Sequence, residues 1–378
     1  MPTRRTVLLA SAGSLIGAGA TTSPAAASPA AARPARTPWG CYGSPADRLD
    51  SRTLYVDPAG TGDFATVQAA VSATPTGTTA ATGWTLVLAP GTYRETVTVP
   101  SSRPFLTLLG GSRRARDTVV VYDNAAGTAK PGGGTYGTTG SASVTLQAEG
   151  FTARDVTFAN DWLRADHPGV TGTQAVAVKV TGDRSAFHHC RFLGHQDTLY
   201  ADTPSLATTA RQYFEHCYVE GDVDFVFGRA TAVFEHCVLR TLDRPDAAFT
   251  PQGFVFAPST ARATAHGFLA VRCTVGSTAP DGAYCLARPW VPSSDPTAWP
   301  MLTVRQSYLG AGIDAVAPYA DMAAAHPWQQ QRFAEYADEG PGAVITVPAN
   351  RPQLTRTQAA LHTRESYLLG ADVWQPWR

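Results

Sequence analysis

Lysine is almost missing from this 378-residue chain: Lys130 and Lys179 are the only two among thirty basic residues. Thirty acidic residues balance the basic ones, so the formal net charge is zero. No basic excess directs the chain to nucleic acid or to an acidic membrane surface. The arginine bias accompanies an alanine-rich composition and reads as coding bias. Several catalytic signatures are also missing. There is no Gly-x-Ser-x-Gly elbow and no His-Glu-x-x-His, which leaves ordinary serine-hydrolase and zinc-protease chemistry without support. The glycine-rich segment 127–140 contains Lys130 but lacks the Gly-Lys-Ser/Thr ending of a phosphate cradle. It reads as a long surface excursion bordering a cleft. Amphipathic helices are few and short, with candidates only at 66–71, 329–336 and 356–363.

Beyond the N-terminus no apolar run is long enough to span a bilayer. The N-terminus itself reads as a targeting segment. Arg4-Arg5 precede Val7-Leu8-Leu9-Ala10 and a Gly/Ala-rich run, and small residues around Ala25 to Ala27 offer a cleavage site. Residues 1–38 are therefore expected to be a twin-arginine-type signal peptide with a Pro/Ala-rich linker. Residues 39–378 then form a single catalytic domain, secreted, with no membrane association after cleavage. Nothing in the chain demands a partner subunit, so a monomer is expected. Export makes disulfides possible among Cys41, Cys190, Cys217, Cys237, Cys273 and Cys285.

The rest of the chain is punctuated by Gly and Pro and carries short β-type runs: 85–88, 97–99, 106–109, 119–121, 144–146 and 175–180. A repeat runs through them. Phe187-His-His-Cys190 resembles Phe214-Glu-His-Cys217 and Phe234-Glu-His-Cys237, with looser copies whose fourth positions fall at Asp155, Cys273 and Ser307. A β-type pattern repeating every 20 to 36 residues indicates a solenoid, in which each coil buries its apolar face against the next. The expected fold is all-β: a right-handed parallel β-helix with short N- and C-terminal helices. A β-sandwich would show more hairpin dipeptides at regular spacing. Adjacent His and Cys in a strand point to opposite faces, so the His-Cys pairs read as stacked core cysteines and not as a metal site.

The chemistry follows the repeats. Asp197 lies just past the Phe187 copy, in Gly194-His195-Gln196-Asp197-Thr198-Leu199-Tyr200. Asp224 lies just past the Phe214 copy, in Asp222-Val223-Asp224-Phe225-Val226-Phe227-Gly228. Equal phases on successive coils place both carboxyls on one face, about 4.8 Å apart if the coils are adjacent. Paired carboxyls serve acid/base and nucleophilic work on sugars and esters. Asp224 is boxed by apolar residues and calls for a partner. Arg288, in Ala287-Arg288-Pro289-Trp290, is the candidate. A loop Asp in a capped turn, or an Arg stacked on a surface Trp, would be the ordinary alternatives.

These motifs together resemble the pectinesterase (pectin methylesterase) family. Gly91-Thr-Tyr93-Arg-Glu95, Gln174-Ala-Val-Ala-Val178, the two aspartate blocks and Arg288-Pro289-Trp290 follow in the family's order, and C-terminal blocks at 333–342 and 367–374 match too. Ala287 stands where the family has Gly. The resemblance implies hydrolysis of the C6 methyl esters of pectin without metal or organic cofactor. It implies Asp224 as nucleophile, Asp197 as general acid and then base, Gln174 and Gln196 as oxyanion donors, and Arg288 as the group orienting Asp224. Tyr200, Phe227 and Trp290 match aromatic positions of the sugar groove. The family's intercoil disulfide corresponds to Cys217 and Cys237. A lyase or a glycosidase on the same fold, or a non-catalytic glycan-binding β-helix, are the rivals. The amides beside the acids favour an ester.

Overall fold

The computed structural model describes residues 50–248 and 250–378. The signal-peptide and linker expectation and Cys41 lie outside them. The described residues wind into three parallel sheets of ten, seven and eight strands. One coil visits each sheet once: Ser185–His188, then Arg191–Leu193, then Leu199–Ala201. The next coil repeats the path with Arg211–Glu215, Tyr218–Gly221 and Val226–Gly228, and each strand pairs in parallel with its predecessor. This is the expected parallel β-helix.

The repeat works by stacking like on like. Phe187, Phe214 and Phe234 occupy one register position, are fully buried, and stack with ring centroids 4.8 Å apart at each step. Burying each ring contributes about 2–3 kcal/mol. Two residues on, a single residue at φ between 51° and 58° turns the chain out of the ten-stranded sheet: Asp155, His189, His216, His236, Arg272 and Gln306. The three histidines stack outside at 5.2 Å. The cysteines that follow them point inward and are buried.

Five expectations need correction. The copy at Asp155 is slipped by one residue. Ala153 pairs with Phe187, so Val156 sits under Cys190 and Asp155 under His189. Residues 329–336 are not a helix. A short 3-10 turn, Trp328–Gln330, leads into the strand Arg332–Tyr336, where alternation buries Phe333 and Glu335 and period two wins over the helical reading. The C-terminal candidate is helical only over Arg356–Ala359, and a second helix that the sequence reading did not include, Arg364–Leu368, starts just past it with Thr363 as its cap. The run 175–180 is a strand only over Val178–Val180; before it, the Ala175 and Ala177 N–H groups donate to the Gln196 and Thr198 carbonyls of the next coil. The N-terminal helix stands, as Val67–Ala73 capped by Thr66.

The fifth correction concerns the cysteines. Cys217 and Cys237 are not bonded to each other; all five described cysteines are free. The thiols of Cys217, Cys237 and Cys273 each reach a carbonyl of the preceding coil, those of Phe187, Phe214 and Phe234, at 3.3–3.4 Å. They point the same way in a column, whereas a disulfide needs the two sulfurs turned toward one another.

Candidate active site

The register Leu199 opposite Val226 and Tyr200 opposite Phe227 extends back through the preceding turns. The Asp197 N–H donates to the Val223 carbonyl at 2.9 Å, which sets Asp197 opposite Asp224 on adjoining coils. Both are left-handed, at φ 67° and 51°, a conformation rare for residues other than glycine and found where surrounding structure enforces it. The motif glycine Gly228 has a plain steric reason. At φ 126°, a Cβ there would lie 2.0 Å from the Ala201 carbonyl oxygen.

Arg288 leaves the strand Tyr284–Ala287, and its N–H donates to the Phe256 carbonyl. That anchor points its guanidinium back at Asp224. Nε donates to one carboxylate oxygen at 2.8 Å and Nη2 to the other at 2.6 Å, the forked geometry only arginine offers. The guanidinium also lies 4.0 Å from the centre of the Phe254 ring. Both aspartates are buried, and burial pushes both toward the protonated form. For Asp197 the push is strong, because Asp224 and Asp222 add to burial and Arg288 opposes only in part. For Asp224 the two Arg288 hydrogen bonds oppose burial directly. Of the pair, Asp197 is pushed further toward the protonated form, and Asp224 is the one a guanidinium holds back.

A cleft of about 520 Å³ opens over the pair and is lined by Gln174, Gln196, Asp197, Tyr200, Asp224, Phe227, Arg288 and Trp290. Every residue picked from the sequence thus faces one cavity. The Thr173 hydroxyl donates to Gln196 Oε1 at 2.6 Å, which fixes that amide and leaves its NH₂ as the donor end. Tyr200 stacks on Phe227 at 4.1 Å, and Trp290 closes against both. Lys179 and Arg229 share Asp202 at 3.4 and 3.2 Å and lie against Tyr200 and Trp290 respectively. The glycine-rich excursion supplies Tyr136 to Thr139 along one rim, as its composition suggested. Among the described residues no group of His, Cys, Asp and Glu is arranged to hold a metal.

The sequence model of the Pectinesterase family matches residues 53–371. The chain belongs to the pectinesterase family. As a member it is a carboxylic ester hydrolase. It is 35% identical over 337 residues to pectinesterase 31 of Arabidopsis thaliana, covering 86% of this chain and 95% of that protein. Among solved structures it is similar to the pectin methylesterase PemA of Erwinia chrysanthemi, with TM-score 0.74, 29% identity, and coverage of 85% of this chain and 97% of that one. It is equally similar to a pectin methylesterase in complex with a hexasaccharide, with TM-score 0.75, 29% identity, and coverage of 86% and 98%.

Sequence reasoning missed several pieces of this pectinesterase site. Phe254, Thr173 and Met322 belong to no quoted motif. Phe254 had a signal: it lies one strand before Arg288 in the ladder, opposite Cys285. Met322 comes from a segment without repeat character, and nothing in the pattern points to it.

Proposed function

We propose that this pectinesterase removes methyl groups from the C6 methyl esters of pectin, methylated polygalacturonate, and releases methanol. An Asp224 oxygen attacks the ester carbonyl carbon. The amides of Gln174 and Gln196 donate to the oxyanion, a role in which one lost donor costs roughly 100- to 1000-fold. As the carbon–methoxy bond breaks, Asp197 gives its proton to the departing oxygen and methanol leaves. The acid is then held as an anhydride with Asp224. Asp197, now a carboxylate, takes a proton from water as that water attacks. Asp224 departs as a carboxylate, and both acids return to their starting states. Arg288 keeps Asp224 bare and aimed. Tyr200, Phe227 and Trp290 form the walls against which sugar rings lie.

One observation carries this reading: two buried carboxyls on adjoining coils, with only one in the hold of a guanidinium. The nucleophile, the acid and the oxyanion donors are all side chains, so the reaction calls for no metal or organic cofactor. The enclosed amides beside the acids suit an ester oxyanion better than glycosidic cleavage. The hexasaccharide held by a related pectin methylesterase supports a polymer lying along the cleft. Secretion as a monomer of residues 39–378, through the twin-arginine route and free of the membrane, completes the proposal. Among the described residues no helix is long and apolar enough to cross a membrane.

The test is methanol release from methylated pectin, with chain ends counted in the same reaction. Methanol without new ends is expected, and Asp224→Ala should abolish it. Unsaturated or reducing ends without methanol, or near-parental release by Asp224→Ala, would overturn the reading.

A further inference from the structure

A third aspartate lies behind the catalytic turns. Asp222 is two residues from Asp224, its side chain is fully buried, and the esterase mechanism does not use it. One carboxylate oxygen accepts the Val223 N–H at 2.6 Å. The other accepts from the Arg164 guanidinium and from His195 Nδ1 at 3.1 Å. The Asp222 N–H donates to the His195 carbonyl at 3.1 Å, and its carbonyl accepts the Phe254 N–H. His195 therefore faces Asp222 across the two coils as Asp197 faces Asp224. A separate hollow of about 300 Å³ lies on this side, lined by Arg164, His195, Asp222, Asp243, Arg244 and Asp246 among others. Arg164 comes from the 3-10 turn Arg164–Asp166 and also approaches Asp246 at 3.8 Å. The two turns carrying the acids are thus held between a cleft on one side and a charged clamp on the other.

Resting on the esterase reading, we infer that Asp222, held by Arg164 and His195, is a positioning residue that braces both catalytic turns and keeps the proton on Asp197. Three features support it. The clamp ties the 195–197 turn to the 222–224 turn by side chains as well as backbone. Asp222 stays charged: burial pushes its carboxyl up, but the His195 hydrogen bond and the Arg164 charge outweigh that and leave it below the usual carboxylate range. Its negative charge acts on both catalytic acids in the direction of protonation. Of the two, only Asp224 has hydrogen bonds from Arg288 to resist it. The charged and titratable groups facing the cluster are Asp197, Asp224 and Arg288 from the catalytic side, Asp243, Arg244 and Asp246 from the hollow, and Tyr284, whose hydroxyl donates to the Leu242 carbonyl.

The two members of the clamp make opposite predictions. Asp222→Asn removes a nearby anion, so Asp197 gives up its proton more readily and the alkaline limb of the kcat profile moves toward acid. The expected loss is roughly tenfold at the alkaline end against roughly twofold near pH 5. Arg164→Gln leaves the Asp222 charge less offset, so the limb moves toward alkali. A merely structural clamp would lower kcat alike at every pH in both variants. Limbs that stay put, or move the same way in both, would overturn the inference. Should Asp222→Asn fail to fold, Arg164→Gln alone decides by the direction of its shift. A ¹³C-carboxyl titration of Asp197 in the full chain, parent against variant, reads the same effect without turnover. It therefore separates failure of this inference from failure of the esterase reading, which is judged by methanol release from the parent.

Discussion

Arg288 and Arg351 each hold a carboxylate in the same forked way, and of these two pairs only that of Arg288 lies under a cleft. Arg351 donates to Glu335 through Nε at 3.1 Å and Nη2 at 2.9 Å. Both side chains are sealed, at 0% and 2% exposure. The Tyr319 hydroxyl adds a bond to Glu335, and the spare Arg351 nitrogen satisfies the Gly342 carbonyl at 2.6 Å. Arg288 and Asp224 have similar distances but 22% and 9% exposure. No tyrosine tops the carboxylate; a cleft does. The first pair ties the C-terminal segment to the last coil, where each guanidinium nitrogen has an acceptor. The second leaves one face of the carboxylate open to the cleft. Pairing geometry alone does not separate a structural ion pair from a reactive one; what lies over the carboxylate does.

The largest effect should come from the reactive pair. Asp224→Ala should lower kcat for methanol release by roughly ten-thousandfold or more, with the melting temperature close to the parent's. If instead activity survives and stability collapses, the two pairs are alike and the distinction fails. Arg351→Met is the mirror image. Leaving Glu335 buried and unpaired should cost about 3–5 kcal/mol of stability in denaturant unfolding, with kcat of the folded fraction unchanged. Next comes the amide. Thr173→Val frees Gln196 to rotate, and kcat should fall by roughly tenfold with KM little altered, less than the loss from Gln196→Ala in the same assay.

The last comparison concerns the pH dependence of stability and Asp338, a half-buried residue near Glu335. Burial raises its carboxyl to about 8 from an ordinary 3.8. Between those values the unfolded chain has released a proton that the folded chain keeps, so folding loses stability as pH rises through this window. Asp338→Asn removes that term. Its melting temperature should fall less between pH 5 and pH 8 than the parent's does; an equal fall would mean Asp338 is not the group responsible.

How much could be read from the sequence follows the same division. The stacked coils were legible because Phe187, Phe214 and Phe234 repeat a pattern that only register explains. Asp197 and Asp224 fell together because each follows such a copy at the same distance. The slip at Asp155 arose where the copy lost its Phe and Cys, leaving a chain of small and polar residues that fits two alignments. The strand Arg332–Tyr336 was misread because, in five residues, a period of two and a helical period share too many positions. Arg351, Thr173 and Asp222 were invisible for another reason. Their roles depend on what packs beside them from distant segments, and neither residue type nor spacing encodes that.

The acids at 197 and 224 sit on consecutive windings, and the arginine that serves them arrives two windings later. All the bond-making machinery proposed above thus fits within a few steps of a staircase. Steps added at either end would lengthen the trough along which a polymer rests without moving any reacting atom. Reach along the substrate and skill at the ester can then change separately, one by counting windings, the other by changing side chains.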